Sequence, residues 1–240
     1  MALKLVIAAV AIAAGAYAYL RWVWFYRDPV RTPPADPAAI VSPVDGKIIY
    51  VRPVRDGQVT ATKLGRPIRI PEITWAQAGP REGWLVGIYM SPLDVHYVYA
   101  PADGQIDHMV YHQGKKNWPM VDLWEYIRLT WVRRAVDLMH KRFHLENERL
   151  TIRLSTASGE LWLVEIADLF VNKIRTFVQP GDRVKAGQKL SFISRGSQVD
   201  LFLPSGFSVT VKPGAQVYGA KTVVARGPGY GHENRTGGNQ

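Results

Sequence analysis

Gly196 and Ser197 stand between the apolar run LSFIS and the alternating stretch QVDLFLP, and a Gly-Ser bond in that setting has a chemistry of its own. A serine hydroxyl can attack the carbonyl of the residue before it, moving the acyl group from nitrogen to oxygen. Glycine in the preceding position helps, because its backbone reaches conformations closed to other residues and leaves the carbonyl open to approach. Elimination of the resulting ester leaves a dehydroalanine, which hydrolyses to a pyruvoyl group on a new N-terminus. The chain would thereby make its own electrophile. The plain alternative is a turn, which is what most Gly-Ser pairs are.

Other side chains narrow the field. The G-x-S-x-G elbow, the Walker loop, G-x-G-x-x-G and H-E-x-x-H are absent. There are no cysteines, which removes disulfides, thiolate metal sites and a thiol nucleophile together. His108 with His112 and His140 with His144 have the i,i+4 spacing that holds a metal on a helix. The first pair falls in an expected strand or turn and the second has no third ligand nearby, so no metal site is expected.

Those residues need positioning elements. Residues 5 to 20, LVIAAVAIAAGAYAYL, form an apolar block flanked by Lys4 and Arg21 and followed by Trp22, Trp24, Phe25 and Tyr26. A transmembrane helix needs roughly 20 mostly apolar residues. Residues 1–26 supply them if Arg21 snorkels and the aromatics lie at the headgroups, so a membrane anchor is expected here. A cleaved signal peptide is the rival, but aromatics and arginine stand where small residues would be cleaved. Arg21, Arg27 and Arg31 follow the block and only Lys4 precedes it, which places the rest on the cytoplasmic side of a cell (inner) membrane. The net charge of +10 calls for an anionic partner, and beside an anchor that partner is acidic lipid rather than nucleic acid.

Residues 27–39 carry four of the sixteen prolines and read as an extended connector. Residues 40–226 then offer short runs rich in β-branched and aromatic residues, such as KIIYVRPV, WLVGIYM, LTIRL, LWLVEIA and VDLFLP, bounded by Gly, Pro, Asp or Asn. A mainly β (α+β) domain is expected, built as a β-sandwich or barrel-sandwich. Two turns look alike, SPVDGKI (42–48) and APADGQI (100–106). Two hairpins, at 178–190 and 211–223, share V-x-P-G-x-x-V with a glycine close behind, and each is similar to the hairpin of biotinyl or lipoyl modules without an acceptor lysine. An amphipathic helical insertion is expected at about 118–145, where Leu123, Ile127, Trp131, Ala135 and Leu138 recur near the helical period. Its Trp and Arg content suits either a membrane interface or packing on the β core with a solvated basic face. The tail 227–240 is expected to be disordered.

In chain order, FYRDPVRTPP, IVSPVDGKI, GIYMSPLDVHYVYAPADGQI, NERL and VEIADLFVNKIRTFVQPGDRVKAGQKLSFISRGSQVDLFLP resemble the successive blocks of the phosphatidylserine decarboxylase family in its short prokaryotic form. The resemblance spans roughly residues 25 to 225. It implies self-cleavage between Gly196 and Ser197, with the two product chains (1–196 and 197–240) remaining associated. It also implies a pyruvoyl group made from Ser197, no pyridoxal and no metal, and conversion of phosphatidylserine to phosphatidylethanolamine through a Schiff base. Asp45 matches the family's aspartate that helps activate the serine. His96 matches the first histidine of an H-x-x-H block, with Tyr99 in the place of the second. His96 is also the candidate acid that returns a proton to carbon, since imidazole titrates near neutral pH. Asp45 has a structural alternative, because P-x-D-G is a good turn by itself and Asp103 repeats it. Lys173 and Arg175 fall where the family is basic and could meet the lipid phosphate or form a solvated pair.

Two other readings stay open. One is a pyruvoyl enzyme acting on a free amino acid, and the other is a membrane scaffold that kept the fold without the chemistry. A homo-oligomer stays open as well.

Overall fold

The computed structural model describes residues 1–60, 67–77, 79–114, 117–130, 136, 138–139, 141–169, 174–194 and 197–228. Lys173, Gly196, His140 and the tail beyond Pro228 lie outside the described residues.

The apolar N-terminal block forms α1 (Ala2–Tyr19), which widens into a π turn at Leu20–Trp24. Together they make a helix of 23 residues with a mean hydropathy of 1.9 and no buried residue, long and apolar enough to cross a membrane. The strands follow in chain order. They are β1 (Ala39–Val41), β2 (Gly46–Val54), β3 (Gln58–Thr60), β4 (Pro67–Arg69), β5 (Gly83–Met90), β6 (Tyr97–Tyr99), β7 (Gly104–His112) and β8 (Arg149–Thr156). After them come β9 (Gly159–Ala167), β10 (Ile174–Thr176), β11 (Arg183–Val184), β12 (Lys189–Ile193), β13 (Ser197–Pro204), β14 (Ser208–Val209), β15 (Gln216–Val217) and β16 (Val223–Arg226). The protein is mainly β, as the short alternating runs imply.

The main sheet is antiparallel, in the order β11-β7-β8-β9-β13-β5-β2-β15. Smaller sheets β10-β12-β6 and β1-β16-β14 lie beside it. Each face of the main sheet carries its own apolar cluster, because successive side chains on a strand point to opposite faces. One cluster takes Leu161, Leu163, Val199, Leu201 and Leu203 of the central strands together with Val98, Ile174 and Ile193 of the sheet β10-β12-β6. The other takes Trp162, Val164, Ile166 and Phe202 with residues from the helical region.

That region differs from the single helix expected over Met120 to Phe143. Helix α3 (Leu123–Thr130) and the one-turn α4 (Phe143–Glu146) are separate, and Leu138 and Met139 between them are not helical. Leu129, Leu138, Met139 and Phe143 are buried in the second cluster, while Leu123 and Trp124 are exposed. Apolar residues of α3, of the non-helical Leu138–Met139 stretch and of α4 thus reach the same sheet face. Between β4 and β5, α2 (Ile70–Thr74) covers the same face. Arg149 is wholly buried beneath these helices, where its guanidinium donates to the carbonyls of Ile73, Phe143, His144 and Asn147.

The paired sequence repeats are paired in space. In one copy Val217 sits opposite Gly46, and in the other Val184 sits opposite Gly104. Gly214 N–H donates to the Ile48 carbonyl and Gly181 N–H to that of Ile106, both at 2.7 Å. Ala220 N–H donates to Ser42 and Gly187 N–H to Ala100, both at 2.9 Å. Each P-x-D-G turn is thus clasped by one V-x-P-G hairpin, and the two units lie towards opposite ends of the sheet order.

Candidate functional site

Strand register assembles the site residues at one end of the main sheet. Ser197, the first residue of β13, pairs with Met90 at the end of β5 on one side and with Ala167 at the end of β9 on the other. Strand β2 begins at Gly46, next to β5, so Asp45 lies at that same end. A Cβ at Gly46 would stand 2.3 Å from the Tyr89 carbonyl oxygen, so only glycine allows this approach. The loop after Met90 carries His96 and is tied to the segment leading to Ser197, since Ile193 N–H donates to the His96 carbonyl at 3.1 Å.

His96 is wholly buried. Its Nδ1 lies 2.9 Å from the Asp94 carbonyl, which can only accept, so Nδ1 carries the hydrogen. Nε2 is buried with no hydrogen-bond partner among the described residues. Burial pushes the titration of the ring down to about 4, overcoming the favourable bond to Asp94, and the nearby Arg27 charge acts in the same direction as burial. At neutral pH the ring is therefore uncharged, with a free lone pair on Nε2. This departs from the expectation of a histidine titrating near neutrality: it is a base without a stored proton. The loop that holds it is itself stiffened by Asp94, whose Oδ2 accepts from the Ser91 N–H at 2.8 Å and the Ser91 hydroxyl at 2.7 Å.

Asp45 is also buried. Its Oδ1 accepts the Gly219 N–H at 2.7 Å and its Oδ2 accepts from Arg31 at 2.8 Å. Arg31 closes the triangle by donating to the Gly219 carbonyl at 3.2 Å. No hydrogen bond joins Asp45 to His96 among the described residues. Tyr99, which stands where the family's second histidine would, is buried with no partner for its hydroxyl among the described residues, and burial raises its titration to about 12. A Cβ at Gly219 would come within 2.7 Å of the Tyr99 ring, so glycine is required there.

One residue near the site was not singled out from the sequence. Glu165 on β9 sits opposite Val199, one alternation from the Ala167–Ser197 pair, and is wholly buried. Both carboxyl oxygens lie 2.7 Å from the Ser191 hydroxyl on β12. Burial, opposed by that bond, raises its titration to about 8, so it is a neutral acid at pH 7. A neutral carboxyl accepts through one oxygen and donates through the other, which fits the two equal distances. The signal was present in the sequence: in LWLVEIA, Glu165 interrupts the apolar face set by Leu161, Leu163 and Ala167.

The opposite sheet face holds β13 by a polar network. Tyr50 donates to Asp200 Oδ1 at 2.5 Å, Gln198 Nε2 donates to Asp200 Oδ1 at 2.7 Å, and His144 Nε2 lies 2.7 Å from Asp200 Oδ2. All four residues are buried, so the strand that begins at Ser197 is fastened from below within its first turn of register. Arg175, on β10, is exposed with its guanidinium 5.8 Å from the Phe177 ring centroid and its backbone opposite Phe192. Among the described residues no cluster of three or more His, Asp or Glu is placed to hold a metal. His112 instead stacks on Trp75 at 3.7 Å, and His144 serves the network.

Residues 19–225 match the profile of the family described as phosphatidylserine decarboxylase. A phosphatidylserine decarboxylase proenzyme of Chlorobaculum tepidum is 28% identical over 222 residues, covering 92% of this chain and 85% of its own. One from Nitratidesulfovibrio vulgaris is 33% identical over 203 residues, covering 84% and 76%. One from Neisseria meningitidis serogroup B is 31% identical over 226 residues, covering 91% and 71%. By these matches, over most of its length, the chain belongs to the phosphatidylserine decarboxylase family, a family of carboxy-lyases.

Proposed function

We propose that this chain cleaves itself between Gly196 and Ser197, converts Ser197 to a pyruvoyl group, and decarboxylates phosphatidylserine to phosphatidylethanolamine at a membrane surface. The observation that carries the reading is the buried Nε2 of a neutral histidine, without a hydrogen-bond partner among the described residues, on the loop between β5 and β6 that Ile193 N–H ties to the segment before Ser197. An orphaned buried acceptor costs stability, and a catalytic role is one reason for a fold to keep it.

In self-processing, His96 Nε2 takes the hydroxyl proton as Ser197 Oγ attacks the Gly196 carbonyl. Acyl transfer from nitrogen to oxygen gives an ester. Loss of the Ser197 α-proton then expels Gly196 as a carboxylate, and water hydrolyses the remaining dehydroalanine with release of ammonia. The second chain stays in place because β13 is paired on both sides in the middle of the main sheet. Asp45 has both oxygens committed to Gly219 and Arg31, so in this reading it fixes the hairpin beside the site and supplies negative charge rather than accepting a proton directly.

A pyruvoyl group supplies a ketone that captures the substrate amine and an adjacent carbonyl that accepts electrons as carbon dioxide leaves. For the protein's part, the neutral Nε2 of His96 removes a proton from the arriving ammonium and returns it to the carbon that has lost its carboxylate. That sequence needs no imidazolium in the resting site. Arg175 and Lys173 are assigned to the lipid phosphate. The N-terminal helix holds the site at the bilayer, and the flanking arginines put it on the cytoplasmic side.

The direct test is Ser197→Ala. It is expected to run as one uncut chain and to release no carbon dioxide from phosphatidylserine vesicles. A divided, active Ser197→Ala protein would overturn the proposal, and turnover of free serine without turnover of vesicles would move it to the soluble-substrate reading.

A further inference from the structure

Residues 24 to 31, the end of the membrane helix and the start of the extended connector, contact the His96 loop, β12 and Asp45. Trp24 Nε1 donates to the Leu93 carbonyl at 3.2 Å, and Arg27 donates to the same carbonyl at 2.7 Å. Phe25 is buried, with its ring centroid 4.2 Å from that of His96. Tyr26 stacks on Phe192 of β12 at 5.6 Å and 14°. Asp28 pairs with Lys189 and Arg31 with Asp45.

From this arrangement we infer that Phe25 is a positioning residue for the reaction: its ring closes the histidine pocket and keeps His96 as a dry, uncharged base, so the root of the membrane helix forms one wall of the catalytic site. The inference rests on the reading of His96 given above. Ring centroids 4.2 Å apart, with the planes tilted by 37°, leave no room for water between the two buried rings. Among the described residues the charged groups around His96 are Arg27 from the connector and Asp94 from its own loop, with Asp45 and Arg31 beyond them. Arg27 adds to the effect of burial, whereas Asp94 touches the ring through its carbonyl and commits its carboxylate to Ser91. The apolar cover is thus the main device, and it is carried by the segment that leaves the bilayer.

The test uses the full-length chain in detergent micelles with isotope-labelled histidine. In a Ser197→Ala background the His96 ring, identified by loss of its signal in His96→Gln, is expected to titrate near pH 4. Phe25→Ala is expected to raise that midpoint by a unit or more, towards the ordinary value of about 6.5. Phe25→Leu keeps an apolar cover and is expected to stay close to the parent, and Arg27→Gln to raise the midpoint by less than Phe25→Ala. With Ser197 intact, the acid limb of self-cleavage followed on denaturing gels is expected to move up with the ring in Phe25→Ala, the rate above neutrality being preserved. A ring midpoint that does not move in Phe25→Ala overturns the inference. A ring that moves while the cleavage limb stays put overturns the reading of His96 as the base and with it the catalytic part of the inference. Should Phe25→Ala not fold, Arg27→Gln still decides whether the connector sets the state of the ring, and an unmoved midpoint there counts against it.

Discussion

Asp45 and Asp103 hold the same place in the two copies of the clasped turn and are used differently. Each carboxylate accepts a backbone N–H from the hairpin that clasps it, Gly219 at 2.7 Å for Asp45 and Ala186 at 2.8 Å for Asp103. Each also pairs with a cation, but Asp45 meets Arg31 with side chains 5% and 8% exposed, whereas Asp103 meets Lys185 with side chains 60% and 83% exposed. The repeated turn explains why an aspartate stands at both positions. Burial under the connector is what distinguishes Asp45 from Asp103.

The pair gives a first prediction. Removing Asp45 leaves the Arg31 charge buried without its partner, so Asp45→Ala is expected to cost about 3–5 kcal/mol of unfolding free energy. Asp103→Ala removes an exposed pair and is expected to cost about 1 kcal/mol or less. Urea unfolding of the two variants in the uncut Ser197→Ala chain checks this. Equal losses would mean that Asp45 is not the buried member.

Glu165 makes a second prediction, concerning pH. Its folded titration is raised to about 8 from 4.5, so between those values the folded chain holds a proton that the unfolded chain has lost. The associated stability is complete below about pH 4.5 and is lost as pH rises through about 8, with a slope of up to roughly 1.4 kcal/mol per pH unit. Glu165→Gln mimics the protonated acid and keeps an acceptor for Ser191. Its unfolding free energy is expected to fall less steeply than the parent's across that range, and parallel curves would remove the buried neutral acid from the account.

A third prediction separates the membrane helix from its root. Helix α1 contributes no buried residue, while residues 24 to 31 contact the site. Deleting residues 1–19 is expected to release the protein from membranes in flotation assays and to leave self-cleavage intact. Deleting residues 1–31 is expected to abolish cleavage. Loss of cleavage in both would make the helix itself part of the folded unit.

The strands were legible because a half-buried strand writes its alternation into the sequence, as LWLVEIA and VDLFLP do. The two hairpin copies were legible because tight turns restrict residue choice to glycine and proline, although their pairing with the two P-x-D-G turns is a long-range matter that no local pattern carries. Serine and histidine at positions 197 and 96 could be singled out through the family blocks. The state of His96 could not, because a titration set by burial depends on Phe25, distant in sequence and joined to it only in the fold. The non-helical state of Leu138 and Met139 was hidden for a similar reason: helical periodicity continues through Leu138, and the burial of Leu129, Leu138 and Phe143 in one cluster is a tertiary matter. Arg31 looked like a flanking positive charge and is instead the buried partner of Asp45.

The claim on which the rest depends is that the chain makes its electrophile from its own backbone. Intact-mass measurement of the mature protein, before and after borohydride, tests it most directly. The expected result is two fragments meeting at the 196/197 bond, the C-terminal one blocked at its N-terminus, gaining mass on reduction and losing activity with it. A single full-length species that turns over phosphatidylserine and is untouched by borohydride would contradict the account.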